Sequence, residues 1–247
     1  MRRIRALWLG RRRYADVHAL QHRLHAARRE GRIGDIALFL EHDPVITTGR
    51  GSRESNILAP RAALRAAGID LESTARGGDV TLHAPGQLVC YPIIDLSPDR
   101  RDVRRYVRDL TTVMSRTIAD DGIEGGPLEG MVGLWVDRDA PQHWSGATQE
   151  LRLAKVGAIG VRMSRWVTMH GFALNISVDL SLYRFIVPCG ISAFPVTSLA
   201  ELTGECLATR DVAERSRCHL AAVFDAEVTP LLDRSSAPLD PGMLGGR

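Results

Sequence analysis

Helical and extended segments are interleaved along this 247-residue chain without a repeating strand-helix-strand rhythm, and this constrains its fold more than any other feature. A regular rhythm would predict a doubly wound parallel sheet. Its absence predicts an α+β fold, a mixed sheet flanked by helices. The clearest helix begins near Asp99: Val103, Tyr106, Val107, Leu110, Val113, Met114, Thr117 and Ile118 keep the i, i+3, i+4, i+7 spacing of one buried face, and Gly122 ends it. Further helices are expected over residues 14–29, 60–67 and from Thr209 or Asp211 to Glu227. Strands are expected over 4–9, 35–41, 45–48, 69–74, 80–83, 87–95 and 131–136. Segments 151–163 and 166–176 read as a pair turning at Ser164-Arg165, preceded by a polar loop over 137–150.

The length suits one domain over residues 1–232, and the Ser-, Pro- and Gly-rich residues 233–247 read as a disordered tail. No apolar run approaches the ~20 residues that cross a bilayer, and the apolar stretch after the basic start is too short for a signal peptide. The expectation is a cytoplasmic protein without a membrane role. A net charge of +3 and no interleaving of aromatic with basic residues argue against nucleic acid. Cys90, Cys189, Cys206 and Cys218 lack a C-x-x-C or paired zinc spacing, so neither a metal nor a disulfide framework is expected.

The chain has 32 Lys+Arg residues, and every one except Lys155 is arginine. A drift toward arginine explains the 31 but leaves Lys155 open, because an amine can release a proton usefully and a guanidinium cannot. Lys155 heads an apolar, glycine-bearing strand containing Ala158, Ile159 and Gly160. A strand-end lysine reaching toward water is the plainer reading. Two other segments set glycine among strand-like residues. The first runs Arg76, Gly77, Gly78, Asp79, Val80, Thr81, Leu82, His83; its adjacent glycines allow close backbone approach to a ligand, or simply a tight turn. The second contains His170, Gly171, Phe172, Ala173 and Asn175. Cys189, between Pro188 and Gly190, stands where the chain is expected to turn sharply and expose a thiol. A thiol of pKa ~8.5 needs a nearby cation to become a good nucleophile near neutral pH, and Lys155 could supply one.

Four strings, Arg76 to Leu96, Lys155 to Gly160, Trp166 to Asn175 and Val187 to Ile191, together resemble those of the octanoyl-[acyl-carrier-protein]:protein octanoyltransferases, also called lipoyl(octanoyl) transferases. The resemblance covers about residues 35–225. Ala84 and Cys90 stand where that family commonly has glycine, and Leu82 where it commonly has an aromatic residue. It implies a biotin/lipoate protein ligase-like fold, with no cofactor and no metal. It implies that Cys189 carries the octanoyl group with Lys155 as its catalytic partner. The substrate-binding stretches it implies are Arg76 through His83, Ala158 through Gly160, and Gly171 through Ala173. Octanoyl-acyl carrier protein is the implied donor; the implied acceptors are lipoyl domains of 2-oxoacid dehydrogenase complexes and the glycine cleavage H protein.

Two rivals stay open: an ATP-dependent ligase, faintly suggested by Gly49-Arg-Gly-Ser-Arg53, and a non-catalytic acyl-binding module; a Cys-His hydrolase using His83 or His170 is less attractive, because it would lose the acyl group to water. Arg100, Arg101, Arg104, Arg105 and Arg108 put a basic face on the helix near Asp99. It reads first as a solvated face and second as a docking surface for an acidic carrier.

Overall fold

Alternation of side chains sorts the strands into a layer with two different faces. The computed structural model describes residues 1–146, 152–188 and 194–240. In chain order, the first half contains β1 (Arg2–Arg12), α1 (Tyr14–Arg29), β2 (Asp35–His42), β3 (Val45–Thr48), α2 (Arg61–Ala66), β4 (Asp70–Ser73), β5 (Thr81–His83), β6 (Gln87–Ile93) and α3 (Val103–Ala119). The second half contains β7 (Gly126–Leu128), β8 (Met131–Asp137), β9 (Leu153–Ser164), β10 (Val167–Asn175), α4 (Leu199–Thr203), α5 (Thr209–Phe224), β11 (Ala226–Val228) and β12 (Leu232–Asp233). Among the described residues nine strands form one mixed sheet in the order β11-β1-β2-β6-β10-β9-β8-β7, with β12 also on β1; β4-β3-β5 form a second, small sheet. The mixed sheet with flanking helices is the fold class expected from the sequence.

In β2, Ile36, Leu38 and Leu40 face one side while Ala37 and Phe39 face the other; in β6, Val89, Tyr91 and Ile93 oppose Leu88 and Cys90. This period of two, with both faces buried, is why central strands read as continuous apolar runs. One face is closed by α3 and α5, whose Leu110, Val113, Met114, Val212, Leu220 and Phe224 share a cluster with Phe172 and Leu174. The other is covered in part by α1 through Val17, Leu20 and Leu24.

Several boundaries differ from the sequence-based expectation, each for a local reason. α3 starts at Val103 because the Asp102 carboxylate accepts the Arg105 N–H at 3.0 Å and caps it. Arg100 therefore lies outside the helix and is buried, paired with Asp109 at 2.8 Å and set 5.1 Å from the Phe224 ring. α5 stops at Phe224 because Asp225 takes the left-handed conformation (φ 48°), and the next residues pair with β1 as β11. The β9-β10 turn falls on Arg165 and Trp166, both with positive φ (50° and 63°), the pattern of a two-residue hairpin turn.

Within the segment expected to be a tail, the structure describes residues as far as Asp240. β12 pairs with β1, the Arg12 guanidinium donates to the carbonyls of Arg234, Ser235 and Ala237, and Leu239 packs against the α1-side cluster. A buried-side arginine that collects carbonyls can hold a Ser- and Pro-rich segment that has little apolar content of its own. The last part of the expected tail, 241–247, lies outside the described residues. No helix among the described residues is long and apolar enough to cross a membrane.

Candidate active site

A β-bulge decides where Lys155 points. Trp135 of β8 pairs with Lys155, but its neighbour Leu134 pairs with Gly157, so β9 carries one extra residue at Val156. Val156 and Gly157 consequently both face the α3 side: Val156 joins that apolar cluster, and a Cβ on Gly157 would sit 2.7 Å from Met114 Sδ. The alternation is reset, which puts Lys155, Ala158 and Gly160 on the opposite side together. Lys155 is 6% exposed, its Nζ donates to the Val132 carbonyl at 2.9 Å, and it lies 5.3 Å from the Trp135 ring. Gly133, at φ 143°, makes the room, since a Cβ there would fall 2.5 Å from Lys155 Cε.

On its other edge Lys155 is hydrogen-bonded through its backbone to residues 195–197: its N–H donates to Pro195 O at 2.9 Å and its carbonyl accepts from Thr197 N–H at 3.0 Å. Cys189 and its neighbours through 193 lie outside the described residues. The described chain leaves at Pro188 and resumes at Phe194, and those two residues line a common groove with Val187 and Pro195.

Along the same side of the sheet lies a narrow cleft whose free interior is about 40 Å³. It is lined by Arg76, Gly78, Asp79, Thr81, His83, Ala158 through Gly160, and Gly171 through Ala173, with Tyr14, Tyr91 and His170. The three stretches singled out in the sequence thus converge, though separated by up to 97 positions. Gly77 lies behind the lining, its N–H bonded to Val161 O at 2.8 Å; Val80 and Leu82 are buried in the small-sheet core instead. Small residues make the walls: Gly160 faces Gly171, and Ala158 faces Ala173. Added bulk would collide, because a Cβ on Gly160 would stand 3.0 Å from Arg76 Cδ and one on Gly171 2.1 Å from Cys90 O.

Arg76 is buried and braces the small sheet. It donates to the Thr47 carbonyl at 2.7 Å, to the Thr47 hydroxyl at 2.9 Å and to Gly77 O at 3.1 Å. The Gly49-Arg-Gly-Ser-Arg53 string is likewise engaged: the N–H groups of Gly49, Arg50 and Gly51 donate to Asp79 O, Arg76 O and Gly78 O at 3.3, 3.0 and 3.1 Å. Those donors hold the glycine-rich wall of the cleft.

The end of the cleft beyond Gly160 is rimmed by imidazoles and phenols that sequence reasoning did not assemble. Tyr14 stacks on His83 (6.1 Å) and leans on His42 (5.1 Å); His18 lies 5.5 Å from His170 and 4.7 Å from His22. The spacing of Tyr14, His18 and His22 by four along α1 was the available signal. Burial lowers the pKa of His42 to about 4 and of His83 to about 3, while His170 is lowered further by burial, His18 and Arg76. All three are therefore neutral near pH 7. His42 Nδ1 meets the Arg12 carbonyl, an acceptor, so it carries the proton and Nε2 accepts from Tyr91 Oη at 2.9 Å. His83 Nδ1 donates to Gln87 Oε1 at 2.7 Å, and the Gln87 amide continues to Asn175.

His170 takes φ 60° in mid-strand, a conformation rare for a non-glycine residue, and its N–H donates to Gln21 Oε1. Among the described residues, His170 Nε2 and Tyr14 Oη are buried with no hydrogen-bond partner. A hydrolytic Cys-His pair gains nothing from this environment: burial leaves His83 and His170 weak bases. No cluster of His, Cys, Asp or Glu suited to a metal ion occurs among the described residues. Cys90 is buried and its thiol pKa is raised by that burial, whereas Cys206 and Cys218 are exposed.

Residues 13–221 match the family model of the lipoyl protein ligase A/B catalytic domain. The chain is 46% identical over 222 residues to a Solibacter usitatus (strain Ellin6076) protein named octanoyltransferase, covering 90% of this chain and 93% of that one. It is 44% identical over 219 residues to an octanoyltransferase of Myxococcus xanthus, covering 89% of this chain and 59% of that longer one. Among solved structures, a crystal structure of lipoate-protein ligase A bound with ATP superposes with a TM-score of 0.70 at 13% identity, over 99% of this chain and 95% of that one. The last likeness is one of fold.

Proposed function

The chain belongs to the lipoyl protein ligase A/B catalytic family, among its octanoyltransferases, and from that premise we propose that it moves an octanoyl group by way of a thioester on Cys189. The observation that supports this most is the shared orientation of Lys155, Ala158 and Gly160: one buried amine stands on the same side of the sheet as the small-residue cleft. Ala158, Gly160, Gly171 and Ala173 leave room beside the strands for an unbranched acyl chain.

The donor is an octanoyl-acyl carrier protein. The Cys189 thiolate attacks its thioester carbonyl, a tetrahedral oxyanion forms and collapses, and the carrier leaves as a thiolate that takes up a proton. The lysine amine of an apo lipoyl domain, from a 2-oxoacid dehydrogenase complex or the glycine cleavage H protein, then attacks the Cys189 thioester. The C–S bond breaks, a C–N amide bond forms, and the amine's proton is lost. Lys155 stabilises the thiolate at both stages and relays protons between sulfur and nitrogen. Thioester to amide runs downhill, so no nucleotide is consumed.

The test is transfer from octanoyl carrier to an apo lipoyl domain in the absence of ATP, followed by mass spectrometry of the domain. Octanoylation of the acceptor lysine is expected. Transfer that requires ATP would move the chain to the ligase reading.

A further inference from the structure

We propose that the carrier protein docks on the exposed rim around Leu58, Arg53 and Arg61, and not on the arginine-rich face of α3. This rests on the octanoyl transfer proposed above. The α3 arginines stand on the wrong side of the sheet: α3 packs on the face of Phe172 and Leu174, while the cleft is lined from the side of Gly171 and Ala173. A thioester arm from a carrier on α3 would have to cross the sheet to reach Lys155.

The rim, by contrast, connects the two parts of the site. On one side, Leu58 N–H donates to Phe185 O and Val187 N–H donates to Asn56 O, each at 2.8 Å, and Ile57 bridges Ile186. Val187 is two residues before Cys189. On the other side, the Asp79 carboxylate of the cleft wall accepts from the Arg53 N–H and from the Asn56 amide. A partner seated here lies over both the cleft wall and the segment 185–187.

Its surface chemistry suits an acidic partner with an apolar contact. Leu58 is 58% exposed, one of the few large apolar side chains so placed among the described residues. Arg53, Leu58 and Arg61 line one groove, together with Glu54 and Glu72. Over positions 50–65 there are four arginines (50, 53, 61 and 65) against one carboxylate, Glu54, a local balance of +3 by subtraction. All four are exposed, and among the described residues none of the four makes an ion pair. Unpaired charge around an apolar spot steers an oppositely charged protein and adds little to the binding of a neutral one.

The experiment compares two double variants, R53E/R61E on the rim and R101E/R104E on α3, with three substrates: octanoyl carrier protein, octanoyl-pantetheine and the apo lipoyl domain. R53E/R61E should raise KM for the carrier at least about fivefold with kcat nearly unchanged, and leave KM for octanoyl-pantetheine and for the lipoyl domain as they were. R101E/R104E should behave as wild type, and the wild-type KM for the carrier should climb with salt. The proposal is overturned if R101E/R104E gives the carrier effect, if R53E/R61E affects octanoyl-pantetheine equally, or if its effect falls on the lipoyl domain alone. Failure of the wild type to transfer from any thioester would sink the parent reading instead.

Discussion

The two faces of the main sheet are built from the same strands and serve opposite ends. Under α3 and α5 lie interlocked apolar side chains with Phe224, Tyr106 and Met114 at the centre. On the other side, past the reach of α1, the strands offer Gly160, Gly171, Ala158 and Ala173, a left-handed His170, and phenol and imidazole groups without full hydrogen bonding. The first face gains stability from dispersion and from water excluded. The second gives up side-chain volume where a substrate chain needs room; unmet polar groups, costing about 1–3 kcal/mol each, occur on both faces, His170 Nε2 and Tyr14 Oη on the second and Tyr106 Oη on the first. One residue of stagger in β9, the bulge at Val156, keeps the two programmes from mixing.

The largest expected effect comes from the reactive side. Lys155→Arg keeps the positive charge but removes the exchangeable amine, and should lower the kcat of the folded fraction about 10³-fold; a variant with near-wild-type turnover would remove Lys155 from proton transfer. Acid should act next, through stability. His42 and His83 have folded pKa values of about 4 and about 3, below the unfolded 6.5, so below pH 6.5 the unfolded chain binds protons that the folded chain refuses. Stability therefore holds above pH 6.5 and falls as pH drops, by roughly 1.4 kcal/mol per pH unit for each such histidine until its folded pKa is reached. Denaturant melts between pH 7 and 4.5 check the slope; a flat profile would mean these rings are not neutral and buried together. The closed face gives the smallest change to chemistry: Leu110→Ala should cost about 2–5 kcal/mol of stability while the folded fraction retains its kcat. A matching loss of kcat would show that the faces are coupled.

Legibility in the sequence followed the same division. The strand and helix order was readable because period-two and period-3.6 patterns belong to elements with one or two buried faces, as in β2 and α3. The three cleft stretches were found through their glycines and the resemblance they carry, and they do meet. The Tyr14, His42, Tyr91 and His170 grouping was not assembled, since it joins α1, β2, β6 and β10 across long separations and only the i, i+4 spacing along α1 hinted at it. Neither the bulge at Val156 nor the positive φ at His170 leaves a mark in residue type: valine and histidine are ordinary strand residues. The packing of 232–240 escaped for a similar reason, because Arg12 holds that segment by its backbone carbonyls, which every sequence has.

The central claim is that Cys189 holds the acyl group in transit. The most direct measurement is intact mass of the protein after incubation with octanoyl carrier and no acceptor, with peptide mapping of the adduct and a chase onto apo lipoyl domain. One octanoyl group on Cys189, sensitive to hydroxylamine and discharged to the domain lysine without ATP, is the predicted result. Full transfer by Cys189→Ser, or an adduct on a different residue that discharges at the catalytic rate, would contradict it.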